Sequence, residues 1–168
     1  MINWMYYPKS KRVDETSKEI VNAFMDKASE IDSCTHDYVS DDVLSIVRLN
    51  LENAGFVVET GKKAAEKIHV PVIFGLNGRA ELSYDVDAYH FEKRYAIEVE
   101  AGRAVANYQF LKDFFEACVM SDTKYLCIAV RNVYRKTGDF EKVCKFFDAF
   151  FASGRMDIPL SGLLIVGY

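Results

Sequence analysis

The chain has 168 residues, half of them hydrophobic and 27% charged, which is the composition of one ordinary globular domain and excludes a disordered or repeat-built protein. Its 21 Lys and Arg against 25 Asp and Glu give a formal charge of -4, so a polyanion would have to find a local basic patch. No apolar run approaches the roughly 20 residues that cross a bilayer, and Met1 to Lys11 carries aromatics and bases where a signal peptide is apolar. The expectation is a cytoplasmic protein with no membrane partner. Cys34, Cys118, Cys127 and Cys144 form no CxxC pair and no metal-ligand spacing with His36, His69 or His90, so they are expected to be plain thiols.

In chain order, Ile20, Val21, Phe24, Met25, Ala28 and Ile31 recur at three- and four-residue steps and predict a helix over 14–31. Trp4, Tyr6 and Tyr7 before it are read as a cover over that helix, or as bases' stacking partners. A second helix is expected over 41–54, capped by Ser40 and ended by Gly55. Strands follow at 56–60 and 70–74, and Asn77-Gly78 is the pair that tolerates a tight hairpin. A long strand over 79–90, its partner over 94–100, a helix over 105–119, a buried strand over 125–130, a helix over 139–152 and a last strand over 163–166 complete the pattern. The whole, 1–168, reads as one domain, an α/β sandwich around a mixed sheet, with 1–35 as an N-terminal helical extension and 41–168 as the core.

Chemistry concentrates in Ser83-Tyr84-Asp85-Val86-Asp87-Ala88-Tyr89 and Tyr95-Ala96-Ile97-Glu98-Val99-Glu100. Alternation puts Asp85 and Asp87 on one strand face and Val86 and Ala88 on the other, with Glu98 and Glu100 likewise opposed to Ile97 and Val99. If the hairpin turns about Glu92 and Lys93, Asp87 lies opposite Glu98 and Asp85 opposite Glu100. Like charges facing one another across a sheet destabilise it, raise one another's pKa or capture a cation. A wet amphipathic hairpin and a structural calcium site are the alternatives, although no EF-hand loop is present.

An Asp followed after ten residues by Glu98-Val99-Glu100, set between helices over about residues 41–131, resembles the PD-(D/E)xK nuclease superfamily. It is nearest to the BamHI-type variant, in which Glu replaces the usual Lys at the last position of the motif. The resemblance implies a restriction endonuclease-like three-layer sandwich, a mixed central sheet flanked by helices. It further implies an Mg²⁺- or Mn²⁺-dependent phosphodiester hydrolase acting on DNA, an endonuclease. Asp87 and Glu98 would be metal ligands, with Glu100 a further ligand or the group orienting the attacking water, and Asp85 in reserve. An acid from the preceding helix, Asp42 or Glu52, would join them. Phosphate contacts are expected from Arg103 and Asn107, with basic patches at Lys62, Lys63 and Lys67 and at Arg131, Arg135 and Lys136. A palindromic target would call for a homodimer. The alternative is an inactive accessory or nucleic-acid-binding protein that keeps the nuclease scaffold.

Overall fold

The structure, a computed structural model, describes residues 1–168. The element order is β1 (Asn3–Tyr7), α1 (Glu15–Met25), α2 (Ala28–Ile31), α3 (Ser40–Asn53), β2 (Val57–Val58), β3 (Ile68–Phe74), β4 (Ala80–Val86), β5 (Ala88–His90), β6 (Tyr95–Glu100), α4 (Gln109–Val119), β7 (Tyr125–Val130), α5 (Asp139–Ser153) and β8 (Gly162–Gly167). Six strands form a mixed sheet in the order β1-β8-β7-β6-β5-β2, and β3 and β4 form a separate two-stranded hairpin. No helix is long and apolar enough to cross a membrane.

The centre of the sheet is parallel, with Ile97 beside Cys127 and Cys127 beside Leu164. These strands are almost fully buried, as expected of strands covered on both faces. On one face, α1 and α3 deliver Ile20, Phe24, Val43, Val47 and Leu51 against Ile97, Val99, Ala129 and Val166. On the other, α4 and α5 deliver Phe110, Phe114, Val143 and Phe147 against Ala96, Leu126, Ile128 and Ile165. The alternating register of each strand therefore feeds two cores, and Glu98 and Glu100 belong by parity to the α4 side.

Four elements depart from the sequence expectation, each for a local reason. The first residues are an edge strand, β1, antiparallel to β8. Alternation there sends Tyr6 to the α1 side and Tyr7 to the α5 side, where the Tyr7 hydroxyl donates to the Cys144 carbonyl at 2.9 Å. The first helix is two, because the chain tightens at Asp26–Lys27, where Lys27 N–H bonds to Phe24 O in a three-residue step. Helix α4 begins four residues later than the apolar spacing suggests. Residues 104–107 are turns and Tyr108 has a φ of 53°, a left-handed conformation that no α-helix passes through. Finally, the long strand over 79–90 is broken at Asp87. Val86 joins the α4 core and Ala88 the α3 core, so the two do not share a face: the chain bends at Asp87 as it leaves β3 and joins β6.

Candidate active site

The register of β5 on β6 pairs Ala88 with Ile97 and His90 with Tyr95, which is the pairing inferred from the turn. One step further, Asp87 stands at Glu98, and its carboxylate Oδ2 accepts the Val99 N–H at 2.7 Å. The second inferred pair, Asp85 with Glu100, does not form. By that point β4 has peeled away to β3, where Asp85 faces His69 and its Oδ1 lies 2.6 Å from the ring Nδ1. Asp85 reaches only the rim of the site.

Asp87, Glu98 and Glu100 line one cleft of about 210 Å³ under α4, together with Ser40, Glu59, Lys67, Asp85, Gln109, Lys112, Asp113 and Glu116. Seven acids against two lysines leave five uncompensated negative charges if all ionise. That surplus cannot persist in a half-buried cleft. Burial is the main cause that lifts Asp87 to about 7, opposed by the Val99 N–H and aided by the charge of Glu59. Burial, then Asp87 and Asp113, carry Glu98 well above the usual carboxylate range. Burial, then Asp113 and Asp87, push Glu100 to about 8. Asp113 rises to about 7, again chiefly by burial.

The two lysines do not neutralise this group. Lys67 Nζ binds Glu59 Oε2 at 2.6 Å, and Lys112 binds Glu116 at 3.1 Å. Burial by itself would lower Lys112, but its bond to Glu116 and the charges of Glu116, Asp113 and Glu98 outweigh that and raise it. None of Asp87, Glu98, Glu100 or Asp113 has a Lys, Arg or His within ion-pairing distance.

Asp113 is the member that strand alternation could not show. Gln109 donates to its Oδ1 at 3.2 Å, while its buried Oδ2 receives no N–H or alcohol donor and the Glu100 carboxyl lies within hydrogen-bonding reach of Asp113. The signal was present in α4: Phe110, Asp113, Phe114 and Ala117 stand at i, i+3, i+4 and i+7, the spacing of an inward stripe, so a carboxylate occupies a core position. Glu59 was equally hidden, since it lies past the two-residue strand β2, where its N–H donates to the Asp87 carbonyl at 2.8 Å.

The expected helix acids fall elsewhere. Helix α3 aims its N-terminus at the cleft through Ser40, and Glu52, twelve residues on, lies about 18 Å along the axis. Asp42 is exposed and outside the cleft. Its neighbour Asp41 is felt at Asp87 as a charge, yet pairs with Lys62 at 2.9 Å. Lys62 and Lys63 are exposed on the turn after β2, and Arg103 and Asn107 are exposed in the loop before α4, not on its first turns. None of these four lines the cleft, and Arg103 pairs with no acid. His90 packs edge-on against Phe56, away from the acids.

The carboxylates that converge here are hard oxygen donors with an excess of negative charge, a donor set that suits hard divalent cations such as Mg²⁺, Mn²⁺ or Ca²⁺ better than soft metals. Asp113 lies within hydrogen-bonding reach of Glu100, and that contact is one of the causes that raise Glu100. No three Asp, Glu, His or Cys side chains stand close enough together to hold a metal ion as they are placed. No family model matches this chain, and no curated protein matches it.

Proposed function

We propose that this protein is a Mg²⁺- or Mn²⁺-dependent phosphodiesterase with a restriction endonuclease-like fold that cuts DNA, with Asp87, Glu98 and Glu100 at its centre. The observation that carries the reading is the convergence of these three acids with Asp113 in one half-buried cleft, without a lysine or arginine bound to any of them. The β-α-β order around them, with an acidic hairpin feeding a parallel pair flanked by helices, is the arrangement on which the resemblance to PD-(D/E)xK enzymes rests.

In this reading Asp87 is held in place by the Val99 N–H and binds the ion together with Glu98. A bound divalent ion supplies Lewis acidity toward a phosphate oxygen and a water of lowered pKa. Glu100, two residues along the same strand face from Glu98, would orient the attacking water or take up its proton. Lys112, half exposed at the cleft rim, is within the same cleft to meet the phosphate's charge. Asp113 orients Gln109 and closes the site from the helix side.

The test is incubation with plasmid and with short duplex DNA in Mg²⁺ or Mn²⁺, beside Glu98→Gln. Cleavage by the wild type and none by the variant is expected, together with a Mn²⁺-dependent rise in melting temperature, since a ligand that binds only the folded state stabilises it. Absence of both would overturn the reading in favour of an accessory protein built on the same scaffold. A rise without cleavage would leave a metal-binding, non-hydrolytic one.

A further inference from the structure

A second and roomier cleft, of about 670 Å³, lies elsewhere on the molecule. It opens above the ends of β6 and β7, between the 33–39 segment and the loop that follows β7. The two clefts adjoin: Val39 lines this one and Ser40 the other, as do Ala101 and Glu100. We propose that the loop at Tyr134–Thr137 and the cleft beneath it grip the sugar-phosphate backbone of the nucleic acid whose phosphodiester lies at the carboxylates. This rests on the phosphodiesterase reading and adds the surface that holds the strand.

The loop is built from the inside out. Arg131 is buried, and its guanidinium is held by Asp37 at 2.5 Å and by the Tyr38 carbonyl, so its charge is used internally. It lies 5.3 Å from the Tyr134 ring centre. Tyr134 in turn lies on Gly102, where a β-carbon would come within 2.5 Å of the ring. Against the same ring, at 5.1 Å, rests the guanidinium of Arg135, which is exposed and has no acidic partner. A cation stacked on an aromatic keeps its N–H edge free and its position defined.

The backbone singles out the same residues. Tyr134 and Thr137 exchange both hydrogen bonds, at 2.9 and 2.8 Å, closing a two-residue turn on Arg135 and Lys136. Their φ values are 46° and 68°, the double positive pattern that favours Asn-Gly. Two long cationic side chains sit where glycine and asparagine fit best, an outlier of the kind that persists for function. Lys136 is also exposed and unpaired, and Arg103, likewise free, stands one residue past Gly102. Three uncompensated cations thus stand outside the carboxylate cleft, where a linear polyanion held at the carboxylates through a bound cation would meet them.

The test is Arg135→Asn with Lys136→Gly, which replaces both cations with the pair that suits the turn. Binding of a labelled duplex and of its single strand is followed by fluorescence anisotropy in Ca²⁺, which neutralises the carboxylates, over a range of salt. The double variant should melt no lower than the wild type, bind both probes more weakly at low salt, and show a log-affinity against log-salt slope smaller by about 2. Equal affinity and slope would overturn the proposal, and so would failure of the wild type to bind either probe. Equal loss on an acidic peptide would assign the loop to a protein partner instead and also overturn it. DNA cleavage with binding insensitive to the variant would sink this inference alone; variant-sensitive binding without cleavage would sink only the hydrolytic reading.

Discussion

Replacing Asp87 by Asn should stabilise the metal-free protein at pH 8. Burial lifts Asp87 from 3.8 to about 7, and a folded value above the unfolded one means that the stabilising contribution is complete below about pH 4. It is lost as pH climbs toward 7. Three units at 1.36 kcal/mol each are about 4 kcal/mol, and the partly open side of Asp87 toward the cleft reduces this to about 2 kcal/mol. Asn keeps an oxygen for the Val99 N–H and stays neutral at every pH. For a chain of this size 2 kcal/mol is a rise of about 4–8 °C in melting temperature. Thermal melts of both proteins in EDTA from pH 4 to pH 8 should show the wild type losing stability and the variant losing less. Parallel curves, or a lower melting temperature for Asp87→Asn at pH 8, would refute the claim that the site holds its carboxylates against their charge.

Lys67→Ala should lower stability by about 3 kcal/mol, read as a lower urea midpoint, because it strands the buried Glu59 carboxylate; Lys67→Met with Glu59→Leu should recover most of the loss. Gly102→Ala should cost about 1–2 kcal/mol, since φ is 97° and the new methyl meets the Tyr134 ring, and chemical denaturation would show it. Phe147→Ala, at the meeting point of Tyr7, Phe110, Phe114 and Phe150, should cost about 3–5 kcal/mol; a variant within 1 kcal/mol of the wild type would mean that this aromatic group repacks without a cavity.

The buried strand β7 and the helix α5 were legible because one is an unbroken apolar run and the other keeps a helical period that packing does not have to overrule. The turn at Glu92–Lys93 also fixed the pairing of Ala88 with Ile97, and with it the approach of Asp87 to Glu98. What stayed hidden depends on long-range pairing. Nothing in residues 3–7 says that they will complete β8 from 160 positions away, and nothing in the run of alternating residues through Asp87 says that the chain will change sheets there. Asp113 was within reach of helical spacing, but a search for apolar stripes passes over the one acid that occupies a place in such a stripe. Asn107 was placed on a helix because the left-handed Tyr108 leaves no mark in hydrophobic periodicity.

The bend at Asp87 gives the β3–β4 hairpin a mechanical life of its own. Two seven-residue strands without a third neighbour form an arm that has little stability by itself and is fastened by Ile68, Val70 and Val86 at its root, while Ile73, Phe74 and Leu76 near its tip remain in water. Amide exchange should therefore divide the molecule: the arm opening in small local excursions that loosen His69 and Asp85, and the β6–β7–β8 ladder exchanging only when the whole domain unfolds. Glu98 and Glu100 ride on the slow part and Asp87 on the seam, so opening of the arm leaves the backbone under Glu98 and Glu100 in place.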